Sequence, residues 1–141
     1  MRTRMKEQGF TLVEIMIVVA IIALLAAIAI PNLLRARMTS NDALAKATLR
    51  AISTAAESYG TANNGNYPNP GGNNLIPLTG ATPPYLNKDY CPASLTTGLA
   101  GYIYNCSGMT SSGYTITASP VNPGSSGTTI QTITTGGVLT P

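Results

Sequence analysis

Histidine and tryptophan are missing from this sequence, phenylalanine occurs once and cysteine only twice. Without imidazole the usual general base is gone, and so is a principal zinc ligand. Acids are scarce as well: beyond the first 60 residues the only one is Asp89. A single carboxylate cannot form an acid–base pair or an oxygen cage for calcium. No enzymatic activity, metal or cofactor is therefore expected. The formal charge of +3 is also thinner than it looks. Arg2, Arg4 and Lys6, offset by Glu7, stand ahead of everything else. Arg35, Arg37, Lys46, Arg50 and Lys88 nearly cancel Glu14, Asp42, Glu57 and Asp89. No basic patch with interleaved aromatics results, which disfavours a nucleic-acid partner. From Tyr90 to Pro141 no residue is charged, so that part owes its solubility to Ser, Thr, Asn and Gly.

What the chain does have is one long apolar run. Between Phe10 and Leu34 the only charged residue is Glu14. As a helix those positions extend about 37 Å, enough to cross a hydrocarbon core of about 30 Å. The basic leader would stay on the cytoplasmic side and the rest would be exported. Two ordinary readings compete. Ala27-Ile28-Ala29 offers small-x-small spacing for a cleaved secretory signal, but the apolar stretch is long for one and an acid interrupts it. A plain signal anchor explains length and orientation but leaves Glu14 unexplained. A carboxylate near mid-membrane costs roughly 2.5–3.5 kcal/mol on insertion scales. Near the inner end it costs less and can snorkel. Alternatively a cation is supplied to it: cleavage between Gly9 and Phe10 would create an α-amino group four residues upstream of Glu14, in the same chain or in a neighbouring subunit.

The residues Gly9-Phe10-Thr11-Leu12-Val13-Glu14, with the short basic leader before them and the apolar run and Pro31 after them, resemble the N-terminus of type IV pilins and type II secretion pseudopilins. That resemblance covers about the first 35 residues. It implies that a prepilin peptidase cuts after Gly9 and methylates the amine of Phe10, and that Glu14 governs subunit recruitment and register in a filament. It implies an α+β, type IV pilin-like fold, in which a long N-terminal helix carries an antiparallel β-sheet packed on its C-terminal half. Pro31 removes a helical hydrogen bond, and the family implies a helix kinked or partly unwound there in the fibre. Ala51 stands where many pilins have a second helical proline.

Beyond Leu34 the pattern turns amphipathic. Asp42, Lys46, Arg50, Ser53 and Glu57 fall on one stripe, and Leu44, Thr48, Ala51, Ile52, Ala55 and Tyr59 on the opposite one, which is expected to face the following domain. Gly60 and Asn63-Asn64-Gly65 signal the helix end. Tyr67 to Pro84 reads as an irregular connection. Strand character follows in Leu99 to Cys106, Tyr114 to Ser119 and Thr129 to Thr134 with an extension at Val138-Leu139, separated by Gly, Pro and Ser turns as in an antiparallel meander. The expected organisation is a leader over 1–9, a membrane and filament-core helix over 10–34, the amphipathic half of that helix over 35–60, and a loop-and-sheet region over 61–141.

Cys91 and Cys106 read as a disulfide made in an oxidising compartment, or as two unrelated buried thiols. Closing such a loop would stabilise a small domain by about 3 kcal/mol. Asn105-Cys106-Ser107 matches a glycosylation sequon whose middle residue is that cysteine. The reading that collects these observations is a non-enzymatic subunit of a type IV pilus-like filament. It would be an inner-membrane, single-pass precursor that self-associates into a cell-surface fibre. Its implied partners are the peptidase, the membrane before assembly and an inner-membrane assembly platform with an ATPase. The alternatives are a periplasmic pseudopilin of a type II secretion system and a signal-anchored periplasmic domain. The family's major pseudopilins carry an acidic calcium loop that has no counterpart in the uncharged C-terminal region.

Overall fold

A computed structural model describes residues 9–92 and 98–141. Its elements are α1 (Leu12–Ala62), α2 (Ile76–Thr79), β1 (Tyr102–Thr110), β2 (Gly113–Pro120), β3 (Gln131–Thr134) and β4 (Val138–Thr140). The chain divides into two compact units, Met1–Arg35 and Ala36–Pro141. Within the first, α1 is long and apolar enough to cross a membrane and buries none of that apolar stretch in the protein. The helix continues through Pro31.

The second unit has a core of its own. From α1 come Ala45, Leu49, Ile52, Ala55 and Ala56, all buried. The sheet contributes Tyr102, Tyr104, Met109, Tyr114, Ile116, Ala118 and Ile133, and the connecting segment adds Leu75, Leu78 and Leu86. The fold is α+β, with a four-stranded antiparallel sheet in the order β1-β2-β3-β4 laid on the later part of the helix. The strands alternate as half-buried strands should: in β2, Tyr114, Ile116 and Ala118 face the core, while Thr115 and Thr117 face away. A bulge between Asn105 and Gly108 interrupts the β1–β2 register.

α1 ends where the turn residues required. The amides of Asn63 and Gly65 donate to the carbonyls of Tyr59 (3.0 Å) and Gly60 (2.8 Å). Asn64 and Gly65 take positive φ values of 57° and 85°, a conformation these two residue types tolerate best. Gly60 is buried because the Tyr67 ring lies over it, 3.3 Å from where a Cβ would sit.

Four expectations need correction. The segment 67–84 is not wholly irregular: α2 forms within it, with Pro77 in its first turn, and Leu75 and Leu78 are buried there. The first strand begins at Tyr102, not Leu99, and runs on to Thr110, because the bulge lets pairing resume beyond Cys106. Val138-Leu139 does not extend the third strand. It forms a fourth strand after the Gly136-Gly137 turn, both of whose residues have positive φ. Finally, the inward face of the helix is rotated from the expected one. Thr48, Ile52 and Ala55 are buried as expected, but Leu44 and Ala51 are exposed and Ser53 is buried.

Candidate functional site

The N-terminal candidates sit on one turn. Thr11 precedes the first helical residue and acts as the N-cap, and Glu14 stands three positions on. The Glu14 amide donates to Thr11 Oγ1 at 3.2 Å. The Glu14 carboxylate in turn accepts from the Thr11 amide at 2.8 Å and from its hydroxyl at 2.7 Å. This is a reciprocal capping box, which satisfies two of the amides that a helix start leaves without partners. Glu14 also places a negative charge where the helix dipole is positive. The Thr-x-x-Glu spacing was the sequence signal for it, and a reading that treated Glu14 only as an acid in an apolar run missed Thr11.

Around this turn everything is apolar and open. Phe10 is 84 % exposed, and Phe10, Ile15, Ile17 and Val18 line a shallow notch beside Glu14. Among the described residues, none lies within 4 Å of where a side chain at Gly9 would begin. Residues 1–8 of the expected leader lie outside the described residues.

In the second unit, two acids of α1 tie the sheet to the helix. Glu57 accepts from three separate elements: the Tyr67 hydroxyl of the connecting segment, the Tyr114 hydroxyl of β2 and the Gly136 amide of the β3–β4 turn, each at 2.8 Å. Tyr114 also shares a hydrogen bond of 2.7 Å with Ser53 Oγ. Fifteen residues earlier, Asp42 accepts from the Tyr102 hydroxyl at 2.6 Å and from the Thr128 amide at 3.2 Å, and also binds the Thr128 hydroxyl. Asn41 Nδ2 donates to the Ser126 carbonyl at 2.7 Å.

These bonds set the titration of both ends. For Asp42, burial raises the carboxyl, but the bonds from the Thr128 hydroxyl, Tyr102 and the Thr128 amide, with the Lys46 charge, hold it below its ordinary value. In Glu57 the same opposition between burial and the Gly136, Tyr114 and Tyr67 bonds also ends below the ordinary value. Burial first and the facing carboxylate second push Tyr102 up to about 12, and the same two causes push Tyr114 up to about 12. The sequence pattern had set Asp42, Ser53 and Glu57 on a solvated stripe. They instead face tyrosines, whose hydroxyls make polar positions fit an interface.

Cys91 and Cys106 are joined in a disulfide with Cα atoms 6.0 Å apart, and both are fully buried. The Asn73 side chain accepts the Cys106 amide at 2.6 Å, so the connecting segment is tied to β1 beside the bond.

Known proteins match this chain over part of its length. Residues 4–30 match a family described as the prokaryotic N-terminal methylation motif. The chain is 52 % identical over 54 residues to the type IV major pilin protein PilA of Myxococcus xanthus, covering 38 % of this chain and 24 % of that protein. It is 51 % identical over 57 residues to the type IV wide pilus major component PilA4 of Thermus thermophilus, covering 40 % and 44 %. It is 38 % identical over 56 residues to the type II secretion system core protein G of Pseudomonas aeruginosa, covering 40 % and 39 %. The chain thus spans less than half the length of each of these relatives.

Proposed function

We propose, from the match to the methylation motif and the similarity to these pilin and pseudopilin relatives, that this chain is a structural, non-enzymatic subunit of a type IV pilus-like filament. The observation that carries this reading is the match to the methylation motif over residues 4–30, which takes in most of an apolar, membrane-length stretch that is unburied among the described residues.

The leader, with its excess of positive charge, would stay cytoplasmic and the second unit would be exported. A prepilin peptidase would cut after Gly9 and methylate the new amine of Phe10. That amine is a cation without the competing hydration it would have in water, and Glu14 is the one acid of the stem able to neutralise it. A neighbouring subunit's amine reaching Glu14 would fix the axial register between subunits. The capping box gives the carboxylate a defined starting position on the exposed turn.

Lipid solvates an apolar helix about as well as another helix does, so helix packing gains little from hydrophobicity while the subunit remains in the membrane. Extraction into a fibre therefore calls for external work, supplied by an assembly platform with an ATPase. Once the stems are packed in a water-bathed filament, returning them to solvent costs about 25 cal/mol for each Å² exposed, which makes the fibre durable. Pro31, with its missing amide, is the natural point of give in the packed stem.

The test joins two measurements. The mature chain should begin at Phe10, carrying one added methyl, by terminal sequencing and mass analysis; a mature chain that starts at Met1 would sink the reading. Glu14→Ala should leave cleavage intact while surface filaments fall to a small fraction of the wild-type number. The similarity to core protein G favours a second reading, a periplasmic pseudopilus subunit. Electron microscopy of surface fibres with mass identification of their subunit separates the two.

A further inference from the structure

The segment 121–130 joins β2 to β3, and α1 fastens it at Asn41 and Asp42. Asn41 Nδ2 donates to the Ser126 carbonyl at 2.7 Å, and Asp42 accepts from the Thr128 amide at 3.2 Å and from its hydroxyl. The Tyr102 hydroxyl, 2.6 Å from Asp42, also reaches the Thr129 carbonyl at 3.0 Å. Inside the segment, the Ser126 amide donates to the Asn122 carbonyl at 2.8 Å, and the Asn122 amide donates to Ser126 Oγ at 2.9 Å. The fit is close: a Cβ at Gly101 would lie 2.8 Å from that of Ser126 and 3.1 Å from Asn41 Nδ2. A loop so braced holds its outer side chains in place.

The loop carries no charge. Val121 and Ile130, at its two ends, are exposed, and so is Leu44, two residues past Asp42 on α1. A single exposed apolar residue needs no explanation, but these three gather around one level of the unit. The acid at that level, Asp42, is spent on Thr128 and Tyr102. Position along the chain supplies a reason. The second unit begins at Ala36, two residues after the apolar run ends at Leu34. Within that unit the helix from Ala36 to Asp42 rises only about 9 Å, and headgroups add about 5–7 Å on each side of a hydrocarbon core. Arg37, exposed on the turn between, can reach lipid phosphates. An apolar helix of about 37 Å also exceeds a core of about 30 Å. Such a helix tilts, and groups anchored at the interface set the direction.

We propose that the 121–130 loop is a foot of the exported unit, resting among the phospholipid headgroups of the bilayer that α1 crosses. The inference rests on the reading of α1 as a membrane-crossing stem. Val121 and Ile130 enter the interface, the uncharged loop meets no repulsion from anionic lipid, and the bonds from Asn41 and Asp42 keep the loop at that depth. The foot gives the unit a fixed orientation on the membrane, and lifting it off is part of extracting the subunit.

The chain has no tryptophan, so Ile130→Trp and Val138→Trp each introduce a single reporter, at positions of matched exposure, 56 % and 57 %. Val138 follows the turn whose Gly136 amide bonds Glu57, about 22 Å farther along α1 than Asp42. The full-length variants are reconstituted into phosphatidylethanolamine–phosphatidylglycerol vesicles, with and without lipids brominated high on the acyl chain. The Ile130→Trp emission should shift to the blue and be quenched by the brominated lipid, while Val138→Trp should keep the emission of a tryptophan in water and stay unquenched. Both variants should float with the vesicles. A chain that does not float would overturn the stem reading and this inference together. A chain that floats with Ile130→Trp unquenched, or with both reporters quenched alike, would overturn this inference alone. So would a blue shift at Ile130→Trp that fades as the chain is diluted in lipid, which would make the patch a contact between copies of this chain.

Discussion

Residues 12–35 of α1 leave Leu24 and Leu25 more than 60 % exposed, whereas Leu49 and Ile52, farther along the same helix, are wholly buried. The first stretch is apolar on nearly every side, and among the described residues its large side chains stay exposed. The second is apolar on one side, and the sheet of its own chain covers it. A helix that is hydrophobic all round needs membrane or other helices, while a striped one can complete a small domain. The first part of α1 is thus exposed apolar surface, and the second is packed within its own unit.

The largest effect should come from the packed part. Leu49→Ala or Ile133→Ala removes a fully buried side chain and should cost about 2–5 kcal/mol, read as a lower urea midpoint for the sheet. Leu24→Ala in the stem should leave that midpoint unchanged, and a shift from it would mean that the two parts share a core after all. Next, breaking the Cys91–Cys106 bond, with its sequence separation of 15, should cost about 3 kcal/mol, measured as the melting difference between the oxidised chain and Cys91→Ala with Cys106→Ala.

Glu57→Ala should cost less, about 1–3 kcal/mol and towards the lower end, because the site is half-buried and water can reach the abandoned donors. Its signature is in pH. Asp42 and Glu57 are held below their ordinary values, so their contribution is full above the ordinary carboxylate range and lost as pH falls through it. Tyr102 and Tyr114 are raised from 10.0 to about 12, so theirs is full below pH 10 and lost as pH rises towards 12. Wild-type melting should plateau around neutrality and fall at both ends, and Glu57→Ala should flatten the acid limb. The smallest effect is Thr11→Val, worth about 1 kcal/mol at the helix start. It should appear as faster hydrogen exchange at the Val13 and Glu14 amides with the sheet melt unmoved.

Much of this was legible beforehand. The apolar run, the Asn-Asn-Gly helix stop and the alternation of Tyr114-Thr115-Ile116-Thr117 are local patterns, and each appears where it was expected. The errors fall where a residue's surroundings decide its place. Leu44 looked like a core residue and is exposed; Ser53 looked solvated and lies under Tyr114. Small and polar residues stand on both sides of this segment and leave only a shallow contrast between faces, so a rotation of one residue could not be seen. Thr11 was different: its capping box was readable, but the apolar context drew attention to the acid alone.

The sequence by itself determined that an apolar helix begins at a Gly-Phe junction, and that an uncharged, turn-rich β region follows an amphipathic segment. Spacing and composition suffice for that, because they act through neighbours in the chain. Only the tertiary structure decided which side of the helix meets the sheet, that Asp42 and Glu57 are anchors for tyrosines some sixty residues away, and that β4 is a strand in its own right. Those depend on register between segments far apart in sequence, and register is fixed by packing.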